Sequence, residues 1–274
     1  MQEKFKIQSR KVYFAGFDGN QLAASFDFPG IMTSSGLSTP PVSAQVFPKQ
    51  YVIVSHCFTC TRQTLTTARL SRGLAQAGYG VLRLDFSGLG ESEGVFADTH
   101  FRSMIEDIAC AASWLAAHYE PAKCLIGHSM GGTASLAAAC NRGASLSQLE
   151  SVITLASPAE PAHVLHHFGA AMDQLRRGEN AQISVAGHLY PVKPEFVEDV
   201  ESFDMASQMN GCELPILAIR AAADELIDPQ NAVQLLHYSK GKTELYQIEG
   251  ADHLFSNRNH AEQLLSKVLN WLGS

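Results

Sequence analysis

The sequence predicts an α/β domain with a mostly parallel, twisted sheet and helices on both faces. Two observations carry that expectation. Short apolar, β-branched runs alternate along the chain with longer segments of helical spacing, and repeated strand–helix units assemble into a parallel sheet. Within that alternation, the stretch Lys123–Cys140, KCLIGHSMGGTASLAAAC, reads as strand, sharp turn and helix. Its turn, Gly127-His128-Ser129-Met130-Gly131, has the Gly-x-Ser-x-Gly pattern of a nucleophile elbow. The serine there is held in a strained backbone conformation, and side chains at Gly127 and Gly131 would strike the neighbouring strand and helix.

Composition sets the bounds. A chain of 274 residues fits one domain carrying an insertion, and 46% hydrophobic with 17% charged residues suffices for a full core. The formal charge of -7, with no Lys/Arg cluster, argues against nucleic acid or an anionic membrane as the main partner. The N-terminus, MQEKFKIQSR, lacks the apolar core of a signal peptide. No apolar run reaches the ~18 residues of a bilayer span. The six cysteines sit mostly in apolar segments, where a free thiol acts as a small hydrophobe. That suits a reducing compartment and a cytoplasmic location.

Taken in order, Lys11 to Phe28 alternates apolar and polar residues around Asp18-Gly19-Asn20, an antiparallel hairpin expected at the sheet edge. Pro29 to Pro48 is rich in Ser, Thr, Pro and Gly, a long surface loop. Tyr51 to Ser55 is a strand buried on both faces. Thr64 to Gly78 follows as a helix, with Leu65, Ala68, Leu70, Leu74 and Ala77 near helical spacing and Gly78 as the stop. Val81 to Phe86 is a strand, SGLGESEG a polar loop, and Phe101 to His118 a helix ending before Pro121. After the elbow come strands at Ser151–Ala156, Pro215–Arg220 and Glu244–Ile248, and helices at Asn231–Ser239 and Ala261–Leu272. Between Ala156 and Pro215 the chain spends about fifty residues, more than one helix and its loops require. The domain therefore divides into a core, 1–159 and 213–274, and an inserted lid, 160–212. The lid's centre, QISVAGHLYPVKPEF, reads as a small hairpin, flanked by helical patterns at Val164–Arg176 and Phe196–Met209.

In a fold with such an elbow the acid follows a late strand and the histidine follows the last one. AAADELIDP comes directly after PILAIR, which puts Asp224 one short turn past a strand end. Glu225 and Asp228 are rivals, but Asp228 precedes Pro229 and reads as the cap of the next helix. Of the later histidines, His237 falls inside a helix, His260 opens one, and His253 lies in GADHLF right after a strand. The expected triad is Ser129, Asp224 and His253, with His253 as base and Asp224 fixing its tautomer. The backbone N–H groups of Met130 and Phe58 are the expected oxyanion donors. Val164, Leu165, Phe168, Met172, Leu189 and Phe196 are candidates for an apolar acyl wall, with Phe58 and Met130 below them.

HCFTCTRQ, RLDFSGLGESEGVFADTHF, LIGHSMGG, ADELIDP and GADHLF together resemble the α/β-hydrolase fold superfamily. They resemble in particular the serine-hydrolase module found fused to OsmC-like domains in bacterial proteins, over about Lys11 to Trp271. The OsmC-like half is expected to be absent here. The resemblance implies a carboxylesterase-like serine hydrolase, with no metal or other cofactor and a small-molecule ester or thioester as its partner. Two other readings stand beside it: a ligand- or partner-binding protein with a vestigial triad, because His56-Cys57 replaces the usual His-Gly; and a redox-linked module, because Cys57 and Cys60 have Cys-x-x-Cys spacing. Packing of the oxyanion loop is the plainer explanation of that pair. His56 and His128 read as structural. Gly88-Leu89-Gly90 is too sparse a glycine pattern for nucleotide binding.

Overall fold

In the computed structural model, which describes residues 5–30, 47–141 and 143–273, β1 (Lys6–Ala15) and β2 (Gln21–Gly30) form the antiparallel hairpin. Gly19 makes the turn possible by adopting φ +85°, and Asp18 Oδ1 accepts the Asn20 N–H at 3.0 Å. The expected loop at 29–48 lies, over 31–46, outside the described residues. The chain continues through β3 (Tyr51–Ser55), α1 (Leu65–Gln76), β4 (Gly80–Leu84), α2 (Phe101–His118), β5 (Cys124–His128), α3 (Met130–Cys140) and β6 (Ser151–Leu155). Every residue of β3 to β6 is buried, as mostly apolar strands covered on both faces should be, and the one charged residue among them, Arg83, is paired with Asp27. Leu65 departs from expectation: it opens α1 and is exposed.

After β6 the chain leaves the sheet. A 3-10 turn, Pro161–His167, leads to α4 (Ala171–Arg176), the hairpin β7 (Ala181–Val185) and β8 (His188–Val192), then α5 (Pro194–Ser202) and α6 (Met205–Met209). The two expected helical flanks are thus each broken in two. Gly169 at φ +47° interrupts the first. The second is interrupted where extended Asp204 turns its carboxylate onto the Ser207 N–H, 3.0 Å away, and restarts the helix. The chain returns as β9 (Ile216–Ala221), α7 (Gln230–Tyr238), β10 (Thr243–Ile248) and α8 (Arg258–Leu272).

The eight-stranded sheet has the order β1-β2-β4-β3-β5-β6-β9-β10. It is parallel from β4 to β10, with β2 and β1 added antiparallel. The first hairpin therefore forms one edge and β10 the other. One face of the sheet packs Val52, Val54 and Ile126 against Leu70 and Leu74 of α1 and Leu264 and Val268 of α8. The other packs Ile53, Leu82 and Leu125 against Ile108 and Leu115 of α2 and Ala134 and Ala137 of α3. Helix α3 is made almost wholly of small, apolar residues, and Met130 to Ala139 are all buried. A helix without a polar face belongs in a core.

The cysteines correct the sequence reading. Four of the six are paired, Cys57 with Cys60 and Cys140 with Cys212, while Cys110 and Cys124 are free. The first pair spans one turn. The second is brought together by topology from 72 residues apart, which local hydrophobicity cannot reveal. Among the described residues no helix is long and apolar enough to cross a membrane.

Candidate active site

At the end of β5 the backbone turns through Ser129 at φ +53° and ψ −130°, a left-handed conformation that costs a non-glycine residue free energy. Its neighbours have no room for side chains. A Cβ on Gly127 would overlap Gly131 and Gly132 at the start of α3, and one on Gly131 would overlap the His56 carbonyl. Gly132, beyond the motif, is equally constrained, by Ser157 after β6. These contacts press the N-terminus of α3 against the loop after β3. The Ser129 N–H is held by the Leu155 carbonyl at 2.8 Å. Neither Met130 N–H nor Phe58 N–H donates to a backbone carbonyl among the described residues.

Asp224 lies just past β9 and His253 just past β10, and the topology makes those strands neighbours. His253 Nδ1 is 2.8 Å from Asp224 Oδ2, both side chains being at most a tenth exposed. Asp224 Oδ1 accepts the N–H groups of Leu226 and Ile227, each at 2.9 Å. Burial opposes ionisation of this carboxyl, but the hydrogen bond and charge of His253 and the two N–H donors outweigh it and hold its pKa below the ordinary value. With Nδ1 committed to the carboxylate, Nε2 is the nitrogen left for chemistry. No hydrogen bond joins Ser129 Oγ to His253 among the described residues; such bonds commonly tighten only around substrate. Asp228 is engaged elsewhere: its Oδ1 accepts the Gln230 N–H at 2.8 Å, one residue ahead of the formal cap Pro229.

His128, inside the elbow, has a partner that its position in the motif did not suggest. Its Nε2 lies 2.8 Å from the His253 carbonyl oxygen, with the two rings 4.8 Å apart. Burial first, and the neighbouring His253 second, push its pKa down to about 3, so it is a neutral donor that ties the histidine loop to the elbow. Thr66 Oγ1 donates to the Leu254 carbonyl on the same loop. On the 3-10 turn His163 meets His166 edge-on and His166 lies tilted against His167. Burial and mutual repulsion lower the pKa of His163 and bring that of His167 to about 4. No group of three or more His, Cys, Asp or Glu among the described residues is placed to hold a metal ion.

The loop after β3 is fastened from beneath by ionic contacts. Arg62, fully buried, meets Asp85 through both its backbone and its guanidinium, reaches Glu91, and donates from Nε to Ser25 Oγ at 3.0 Å. The glycines of SGLGESEG serve this arrangement: Gly88 and Gly90 adopt φ +71° and +59°, and a Cβ on Gly90 would overlap the Asp85 carboxylate. Of the expected acyl-wall residues, Phe168 and Phe196 meet Phe58, their ring centroids 6.4 and 5.5 Å from it. Val164, Leu165 and Met172 join the same apolar cluster as Met130. Leu189 does not: it sits at the hairpin tip, 67% exposed.

A strained serine between strand and helix, with an aspartate–histidine pair after the last two strands of a mostly parallel sheet, defines the class: this is an α/β hydrolase. Residues 47–191, more than half of the chain, match the Hydrolase_4 family, serine aminopeptidase S33, and the chain belongs to that family. Among solved structures it is 30% identical to the esterase domain of a Rhodothermus marinus protein, covering 96% of this chain and 97% of that one with a TM-score of 0.73. Est1E of Butyrivibrio proteoclasticus with bound ferulic acid shares 20% identity over 95% and 97% of the chains, TM-score 0.72. Mouse α/β hydrolase domain-containing protein 10 shares 15% over 96% and 98%, TM-score 0.74. At those identities the last two show the fold alone. No curated protein matches the chain.

Proposed function

We propose that the protein is a carboxylesterase-like serine hydrolase using Ser129, His253 and Asp224. The His253–Asp224 hydrogen bond beside the strained serine carries this reading. His253 Nε2 takes the Ser129 proton as Oγ attacks the acyl carbon, then delivers it to the departing alcohol or thiol. Water, activated by the same nitrogen, releases the acid from the acyl-serine. The Phe58 and Met130 N–H groups face the developing oxyanion. The inserted residues 160–212 act as a lid, whose Phe168 and Phe196, packed on Phe58, form an apolar wall suited to a small or medium acyl group. The family description names an aminopeptidase, and a substrate α-amine calls for an unpaired carboxylate. Asp224 is committed to His253, and Glu160 to Tyr238 and the Met205 N–H, which favours esters. The shared motifs also group the chain with the hydrolase modules of OsmC-fused proteins.

Ser129→Ala is expected to lower kcat on p-nitrophenyl butyrate by roughly 10⁴-fold or more while the far-UV spectrum is unchanged. Wild type should be labelled at Ser129 by a fluorophosphonate. A Ser129→Ala enzyme as fast as wild type, or an unlabelled active protein, would refute the assignment.

A further inference from the structure

Residues 57–60 form a tight turn bounded by their own disulfide. The Cys60 N–H donates to the Cys57 carbonyl at 3.2 Å, and Thr59 is held at φ +60°, an unusual conformation for a β-branched residue. His56 governs the first peptide of the turn. The Phe86 N–H donates to its Nε2 at 3.1 Å, so Nδ1 carries the proton and donates to the Cys57 carbonyl at 2.8 Å. The Cys57 carbonyl and the Phe58 N–H share one trans peptide plane and point opposite ways. Fixing one therefore aims the other.

The last peptide of the turn is held by a second side chain. Tyr190, on β8 of the insertion, donates its hydroxyl to the Thr59 carbonyl at 3.1 Å. Its ring packs on Phe96 at 5.1 Å, and Phe96 packs on Phe58 at 5.6 Å. Lys193 at the base of the hairpin pairs with Asp98, two residues beyond Phe96. Among the described residues, Tyr190 is the side chain through which the inserted hairpin hydrogen-bonds to the turn that carries Phe58. We propose that Tyr190 is a positioning residue for the oxyanion turn, making the insertion part of the catalytic apparatus as well as a cover over it. Its hydroxyl and His56 grip the two ends of one turn, and the Phe58 N–H lies between them.

This rests on the esterase reading, and the test separates the two. The probes are p-nitrophenyl butyrate and butylboronic acid. On binding, the Ser129 Oγ electron pair forms a bond to boron, the hydroxyl proton passes to His253, and the tetrahedral boronate places a hydroxyl where the oxyanion forms. Losing an oxyanion donor outright costs on the order of a hundredfold to a thousandfold in rate, so misaiming one should cost less. Tyr190→Phe is expected to lower kcat by about 3- to 30-fold with KM within about twofold, and to weaken boronate binding by the same factor as kcat/KM. Tyr190→Leu, which also removes the ring, should lose little more boronate affinity than Tyr190→Phe. His188→Ala, an exposed neighbour on the same strand, should match wild type.

Unchanged kcat and boronate affinity in Tyr190→Phe would overturn the inference. So would a rise in KM alone, which would make the hydroxyl a substrate contact, or an equal loss in His188→Ala, which would make the effect a general loosening of the hairpin. A wild type without Ser129-dependent turnover or labelling would instead sink the proposed function.

Discussion

His128 shows how a single side chain joins stability to the site. It is fully buried and bonded to the His253 carbonyl, with its pKa depressed from 6.5 to about 3. In the unfolded chain it takes up a proton below about pH 6.5, which the folded protein refuses until about pH 3. The unfolded state then binds more protons, so stability falls as pH falls through that window. His128→Gln keeps an N–H donor and cannot titrate. Its unfolding free energy in urea should drop less between pH 7 and pH 5 than that of wild type; an identical drop would remove His128 from the account. Some slope will remain, because His56, His163 and His167 are depressed too. At this scale the sequence identified Ser129, Asp224 and His253 as candidates because each falls at an element boundary in a fixed order. His128 could not be read the same way, since its partner is 125 residues away. Tyr190 carried no signal beyond belonging to a hairpin.

Elements were legible where burial decides. β3 and α2 begin and end at the expected residues, and the other strands of the parallel sheet differ by a residue or two, because continuous apolar runs and helical spacing record two-sided and one-sided burial. The insertion was legible only as surplus length and a hairpin. Its helices are short, broken at Gly169 and Asp204, and placed by contacts with α2, α3 and the Phe58 ring rather than by their own periodicity. If this segment selects the acyl group, replacing residues 160–212 with the corresponding stretch of another α/β hydrolase should shift the optimum of kcat/KM across p-nitrophenyl esters of increasing chain length. The same profile in a folded chimera would place selection elsewhere. The hairpin's hold on the oxyanion turn adds an expectation that the chimera also loses kcat on its best substrate.

At the scale of the molecule, what sequence concealed was long-range pairing. The Arg62–Asp85–Glu91 contacts, the Arg83–Asp27 pair and the Cys140–Cys212 bond each join distant segments. That disulfide ties the end of α3 to the approach of β9, closing a loop that contains the whole insertion. A cross-link over 72 residues restricts the unfolded chain by up to about 4 kcal/mol. Cys140→Ser with Cys212→Ser should therefore lower the urea midpoint while leaving the urea dependence of the folded baseline unchanged; an unshifted midpoint would show that the bond contributes nothing. The order of strands has a further consequence, in time. Ser129 follows the fifth strand and His253 the tenth, so a chain emerging from the ribosome exposes its serine long before the proposed base is made. Through that interval a serine hydroxyl without the proposed base is a poor nucleophile. On the proposed triad, reactivity waits for the edge strand β10 to dock, because that step brings His253 to the elbow.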